Sequence, residues 1–246
     1  MKDKVYQDMV NQQRNHWWFR ARRNILGIIL EQFAGDGSPD ILEIGCGTGG
    51  NLPMLKSHGG VSAVEMDDFA IRYAEELTGV EVLKGWLPDS IPYRREFDMV
   101  CMFDVLEHIK DDRMALKEIY RLMRPDGLLI ITVPAYSWLF GTHDRLLRHF
   151  RRYSRKKIKR LVLDSGFSIE KLSYFNTFLF PMAVLARVID MFRGGTESLG
   201  YSTPPEIINR PLFAIFNMEK YILGRHNLPF GTSVLAVCRK TPGSTE

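Results

Sequence analysis

Short apolar runs alternate with amphipathic stretches through the middle of the chain. Asp40-Ile41-Leu42-Glu43-Ile44, Val61–Glu65, Val80–Leu83, Phe97–Phe103 and Leu128–Val133 are rich in branched or aromatic residues and read as strands. The stretches 67–78 and 110–123 between them read as helices. In the second, Ala115, Ile119, Leu122 and Met123 share a face, and Asp111 and Asp112 suit the first turn. Arg124-Pro125-Asp126-Gly127 reads as a turn into the fifth strand. Regular alternation over 40–133 predicts a parallel sheet covered by helices. Beyond it, Ser154 is a candidate N-cap for a helix over 155–165, with Gly166 as its stop. Phe167–Phe175 and Thr232–Lys240 read as two further strands.

The flanks have a different pattern. Residues 1–36 form a helical prelude with an apolar stripe at Ile25, Ile28, Ile29 and Phe33. It opens on His16-Trp17-Trp18-Phe19-Arg20. Those aromatics either anchor the helix on the main domain or close over a ligand, and both readings are open. Gly35–Pro39 breaks the helix. Residues 176–230 interrupt the last two strands with a helical insertion. Its first apolar run, Phe178–Ala186, contains Pro181 and ends at Arg187 and Asp190, too short and too charged to span a membrane. Gly194–Pro205 reads as a linker to a second apolar run, Pro211–Phe216. The division expected is therefore 1–36, then 37–175 with 231–241, with 176–230 as a cap. That cap suits packing on the sheet or a dimer interface, or else a greasy acceptor pocket or a peripheral membrane contact. Monomer and homodimer both fit.

A chain of 246 residues with 45% apolar content suits one α/β domain with elaborations. The net charge is +4, but nine Lys/Arg and no acid lie between Arg145 and Arg160. Part of that run is a solvated helix face; an anionic substrate, a membrane surface or nucleic acid would explain more. Cys46, Cys101 and Cys238 lie far apart, which argues against a disulfide framework or a zinc site and for a reducing, cytoplasmic setting. The polar opening Met1-Lys2-Asp3-Lys4 does not read as a signal peptide.

The first strand runs into Gly45-Cys46-Gly47-Thr48-Gly49-Gly50, which presents backbone N–H groups and a helix start to a nucleotide-like ligand. Gly45-x-Gly47-x-x-Gly50 satisfies the dinucleotide fingerprint. Glu43 precedes the loop. Glu65 ends the second strand twenty residues after Gly45, where an acid can accept hydrogen bonds from ribose hydroxyls. With Glu-x-Gly-x-Gly-x-Gly in this setting, the sequence resembles the class I S-adenosylmethionine (SAM)-dependent methyltransferases. Phe103-Asp104-Val105-Leu106-Glu107-His108 and the Arg124–Gly127 segment are similar to those of type-11 members such as the ubiquinone and menaquinone biosynthetic enzymes. His16–Arg20 also resembles the opening of bacterial relatives.

The resemblance implies a Rossmann-like, doubly wound sheet of seven strands whose last strand enters antiparallel between the fifth and sixth. It implies SAM as cofactor, with S-adenosylhomocysteine (SAH) as product. Glu43, Gly45, Cys46, Gly47 and Gly49 would face the methionine and ribose portion, Glu65 would hold the ribose, and Met66 would line the adenine. Gly85-Trp86-Leu87 matches the adenine-contacting segment, although many members carry Asp where Trp86 stands, so the adenine amino group would meet backbone or Asp89. Phe103, Asp104 and Leu106 would approach the sulfonium and the methionine tail, with His108 the first candidate for general base.

His143, His149, Arg151, Arg152 and Tyr153 follow the fifth strand on the same rim and are the expected acceptor contacts, with Trp18; His143 is also a catalytic candidate. Arg151 and Arg152 suit a phosphate or carboxylate. No spacing argues for a metal. The expectation is methyl transfer to a small-molecule or lipid-linked anionic acceptor, at oxygen first, with carbon and nitrogen as alternatives. An NAD(P)-dependent oxidoreductase shares the glycine pattern but leaves Glu43 and 104–108 unexplained. A nucleic-acid-binding protein would use 145–160, but there is no Asn-Pro-Pro-Tyr-like segment after the fourth strand.

Overall fold

The computed structural model describes residues 10–35, 37–192 and 203–241. The Met1–Lys4 opening and most of the Gly194–Pro205 linker lie outside the described residues. Helix α1 covers 10–15 and α2 Trp17–Phe33. Then come β1 (Asp40–Ile44), α3 (Leu52–Lys56), β2 (Gly60–Glu65), α4 (Asp68–Thr78), β3 (Val82–Lys84) and β4 (Phe97–Phe103). They are followed by α5 (Asp112–Arg121), β5 (Met123–Pro134), α6 (Thr142–Leu146), α7 (Arg155–Asp164) and β6 (Phe167–Phe175). The insertion holds α8 (Phe180–Phe192), α9 (Glu206–Asn217) and α10 (Glu219–Leu223), before β7 (Ser233–Lys240).

The strands form a seven-stranded sheet in the order β3-β2-β1-β4-β5-β7-β6, with β7 antiparallel to both neighbours and the other pairs parallel. Successive residues of each strand point to opposite faces, so each central strand supplies two cores. Leu42, Val100, Met102, Leu129 and Ile131 face α5 and α7, meeting Leu116, Ile119, Ile158 and Val162. Ile41, Met99, Cys101, Ile130 and Leu235 face α2 and the insertion, meeting Ile25, Ile29, Phe216 and Leu223. Ile25, Leu26, Ile29 and Leu30 are all buried. At about 1.5–3 kcal/mol per such side chain, this stripe holds α2 against the sheet more than helix propensity does.

The caps follow the sequence. Asp67 accepts from Phe69 and Ala70 N–H at the start of α4, Asp111 from Met114 N–H at α5, and Ser154 from Lys157 N–H at α7. Three local expectations shift. Strand three lies at Val82–Lys84 rather than Val80–Leu83. Arg124–Gly127 is not a free turn but a bulge inside β5: the pairing with β4 jumps from Phe97↔Met123 to Met99↔Leu128, with Asp126 at φ 61°. The apolar run that Pro181 is expected to interrupt forms one helix to Phe192, because Pro181 lies in its first turn, where no intrahelical N–H partner is required. No described helix is long and apolar enough to cross a membrane.

Candidate active site

The carboxyl ends of β1, β2 and β4 converge where the strand order reverses, the place where open α/β sheets take ligands. The loop after β1 needs glycine for two distinct reasons. Gly45 has φ 71°, and a Cβ there would stand 2.7 Å from Val105 Cγ2. Gly47, at φ 55°, turns its N–H to the carboxylate of Glu65 at 2.8 Å. The other Glu65 oxygen accepts from Met66 N–H (2.8 Å) and Asp67 N–H (3.1 Å). Glu65 thus ties the glycine loop to the end of β2. Met66 itself is exposed, and Cys46 is buried.

Glu43 is buried beneath the loop. One oxygen accepts from Asn51 Nδ2 at 2.9 Å, and the other has no partner among the described residues. Burial pushes its carboxyl up to about 8, against the opposing effects of Asn51 and the Arg22 charge. After β3, Trp86 and Ser90 exchange backbone hydrogen bonds, a tight loop that leaves Gly85 and Leu87 buried and Trp86 exposed. Asp89 is exposed on the same loop.

After β4 the chain turns sharply at Asp104, which has φ 58°. Asp104 N–H donates to Thr132 O, and its carboxylate pairs with Arg22 Nη2 at 2.7 Å. The same Arg22 nitrogen donates to Thr132 Oγ1 at 2.7 Å, and Arg22 Nε is buried without a partner. The guanidinium lies over the rings of Trp18 and Phe103, at 5.0 and 5.6 Å from their centroids. Trp17 packs edge-on against Phe216, and its N–H donates to Asn209 Oδ1. The aromatic opening therefore divides its work: Trp17 anchors α2 on α9, and Trp18 covers Arg22 beside Asp104. Leu106 is buried just beyond.

The residues after β5 meet the same rim. Asp144 is fully buried and accepts from Arg152 Nε (2.7 Å), Gly141 N–H (2.9 Å) and His149 Nδ1 (2.9 Å). Burial alone would raise its carboxyl, but the hydrogen bonds from His149 and Arg152 outweigh it and hold it well below the usual range. Arg151 pairs with Asp112 at 2.7 Å and donates to Lys110 O. Tyr153 is buried, its hydroxyl 2.9 Å from Asp112 Oδ2. His143 lies in α6. His108 and His149 meet edge to face with centroids 4.5 Å apart. Burial, then the neighbouring His149, lowers His108, so its imidazole is neutral at physiological pH. Arg151, Arg152 and Tyr153 are thus partnered within the protein, while the exposed cations of the basic run are those of 145, 148, 156, 157, 159 and 160.

Two residues escaped sequence reasoning. Arg22 stands in an arginine-dense run where only the aromatics attracted attention. Glu107 reads as a helix cap, yet its side chain is fully buried with neither oxygen hydrogen-bonded among the described residues.

The chain is similar to known proteins. A family model described as a methyltransferase domain matches residues 15–172. A protein of Mycolicibacterium smegmatis described as a probable S-adenosylmethionine-dependent methyltransferase is 24% identical over 159 residues, 63% of this chain and 61% of that protein. The (S)-coclaurine N-methyltransferase of Papaver somniferum is 30% identical over 118 residues, 44% of this chain and 33% of the enzyme. Among solved structures, the N-methyltransferase NodS of Bradyrhizobium japonicum, in complex with SAH, superposes with a TM-score of 0.56 at 14% identity, covering 94% of this chain and 91% of that one. The matched stretch spans about three fifths of the first curated relative. Since the family model covers well over half of the sequence, from the end of α1 into β6, the chain belongs to the methyltransferase domain family, whose members take SAM as cofactor.

Proposed function

We propose that the protein transfers the methyl group of SAM to an oxygen of a small-molecule or lipid-linked anionic acceptor. The observation that carries this reading is two orphaned buried atoms, Glu43 Oε2 at the end of β1 before the glycine loop tied by Glu65, and Arg22 Nε on the guanidinium that pairs with Asp104. A buried polar atom without a partner costs roughly 1–3 kcal/mol, so a native site that keeps two, one on an acid and one on a base, is built for a ligand that satisfies both. The methionine portion of SAM is a zwitterion: its ammonium suits Glu43 and its carboxylate suits Arg22. Glu65 has acceptor capacity left for a ribose hydroxyl.

In the transfer, an acceptor oxygen attacks the methyl carbon in line with the sulfur. The O–C bond forms, the C–S bond breaks, and its electron pair returns to sulfur, giving SAH. The cofactor supplies the electrophile; this chain aligns the partners and takes the acceptor proton. Neutral His108 is the base of this reading, with Asp104 and His143 flanking the path. The exposed cations of α7 favour an anionic acceptor. Exposed Trp138, Phe178, Met182 and Phe230 lie around Phe180, beside the chain leaving β5, and favour one with an apolar tail. The similarity of 103–108 to quinone-pathway enzymes points the same way.

Isothermal titration with SAM, SAH and NAD tests the reading. Micromolar binding of SAM and SAH with none of NAD is expected. Retention of NAD with no affinity for SAM would overturn it.

A further inference from the structure

Glu107, His108 and His149 come from two separate segments, the turn after β4 and the loop between α6 and α7. Each offers one ligand atom, and the three atoms lie within 4.8 Å of one another. Three features set this cluster apart from a chance meeting of polar groups. Glu107 is fully buried, and neither carboxylate oxygen has a hydrogen-bond partner among the described residues. Left unpaired, such a carboxyl holds its proton, because burial and then the neighbouring Asp104 push it well above the usual carboxylate range; a cation facing it would displace that proton and satisfy both oxygens. His149, moreover, is held at its far nitrogen. Asp144 already accepts from Arg152 and Gly141, so it receives the Nδ1–H of His149 as well, and the lone pair lies on Nε2. A carboxylate behind the imidazole orients a histidine toward a metal. Finally, His108 is exposed, so an ion has an entry path.

We propose that Glu107, His108 and His149 bind one divalent first-row transition-metal ion, of the manganese-to-zinc class. Two imidazoles and one carboxylate select such an ion over magnesium or calcium, which take oxygen ligands. Ligand atoms around such an ion stand about 3–3.5 Å apart given metal–ligand bonds near 2.1 Å, so closing the site takes only small rotations of the exposed His108 and half-buried His149. Three protein ligands leave coordination positions open. The consequence for catalysis rests on the methyl-transfer reading. An acceptor hydroxyl bound at an open position loses its proton to water more readily, because the ion lowers its pKa, and attacks the methyl as an oxyanion. This replaces proton transfer to His108, whose lone pair the ion occupies.

The test is binding, independent of turnover. Full-length protein is stripped with chelator, dialysed and titrated with Co²⁺, followed by its d–d absorption and by calorimetry, with SAM titrated in parallel. One Co²⁺ per chain at micromolar affinity is expected. His149→Asn, His108→Asn and Glu107→Gln should each weaken it at least about tenfold, and Asp144→Asn, which reaches the site through His149 and also disturbs the bonds from Arg152 and Gly141, by about 10–100-fold. Circular dichroism and SAM affinity, the latter within about twofold of wild type, identify the variants that remain folded. No stoichiometric Co²⁺ uptake by the wild type, or uptake indifferent to all three ligand substitutions in folded protein, overturns the proposal. Co²⁺ uptake without SAM binding would leave the metal site standing and remove the methyl-transfer reading instead.

Discussion

Glu65→Gln is the sharpest probe of the cofactor cradle, because the substitution keeps the side-chain shape and changes only charge and donor pattern. In the wild type one Glu65 oxygen serves Met66 and Asp67 N–H and the other serves Gly47 N–H. A glutamine carbonyl can keep the first two bonds. Its NH2 group must then face the Gly47 N–H, donor against donor, so the bond that ties the glycine loop to β2 is lost. A ribose hydroxyl arriving at that oxygen loses its acceptor too. A hydrogen bond to a charged group is worth about 1.5–3 kcal/mol, and 1.4 kcal/mol is tenfold in affinity. SAM affinity should therefore fall about 10–100-fold, read by isothermal titration. The thermal midpoint should fall only modestly, since Glu65 lies at the rim and water can reach the freed N–H. SAM binding within about twofold of wild type, in a variant with a native circular dichroism spectrum, would refute the placement of the ribose at Glu65.

Two other perturbations examine the neighbouring charges. Arg22→Met leaves Asp104 without its 2.7 Å partner and Thr132 without a donor; breaking a buried pair costs about 3–5 kcal/mol, and the partial exposure of Asp104 places the loss at the lower end, read as a fall in the urea midpoint. An unchanged midpoint would mean that the pair is worth no more than a surface contact. Glu43 has a carboxyl raised from 4.5 to about 8, so its contribution is full below its unfolded value and is lost as pH rises toward 8. Wild-type stability should fall across that window by up to about 1.4 kcal/mol per pH unit from this group, and Glu43→Gln should remove that slope; parallel pH profiles would contradict it. Near pH 7, SAM binding should also release up to about one proton as the ammonium draws Glu43 into its ionised form, seen as a buffer dependence of the binding enthalpy that Glu43→Gln abolishes.

Most of the sheet is legible in the sequence because its strands carry period-two and β-branched patterns that no neighbouring helix imitates. The glycine loop is legible for a similar local reason: the residues that bend it are consecutive. What could not be read depends on partners remote in sequence. Pro125-Asp126-Gly127 has the composition of a turn, and only its pairing with Phe97 and Met99 across the sheet makes it a bulge within β5. Arg151 and Arg152 look like free cations within a basic run. Their acids, Asp112 and Asp144, come from α5 and α6 and meet them only in the folded chain. Arg22 reaches Asp104 and Thr132 because α2 lies across the sheet, a packing direction that its apolar stripe implies but does not address to a particular carboxylate. Glu107 is the hardest case, since a glutamate in a polar turn gives no local sign that it is fully buried.

The charges that emerge are sorted by sign along the rim. Glu65 and Asp104 lie at the carboxyl ends of β2 and β4, beside Glu43 and Glu107, whose buried carboxyls hold their protons until a cation faces them, in a protein whose net charge is +4. Arg22 and Arg152 only partly offset them, and Glu107 feels both of those arginines and Asp104. The surplus cations lie elsewhere, on the exposed face of α7. Unit charges about 4 Å apart interact by about 4 kcal/mol at the effective dielectric of a protein surface, so this separation directs two ligands differently. On the proposed reading, a cofactor carrying a sulfonium and an ammonium is drawn to the acidic crest and an anionic acceptor to the basic helix beyond β5, and the two would meet at Asp104 and the histidine pair. A fold that pooled its charges would attract one of the two reactants and repel the other. The division between the crest and α7 is therefore the electrostatic counterpart of in-line transfer, which needs both reactants held at once on opposite sides of one carbon.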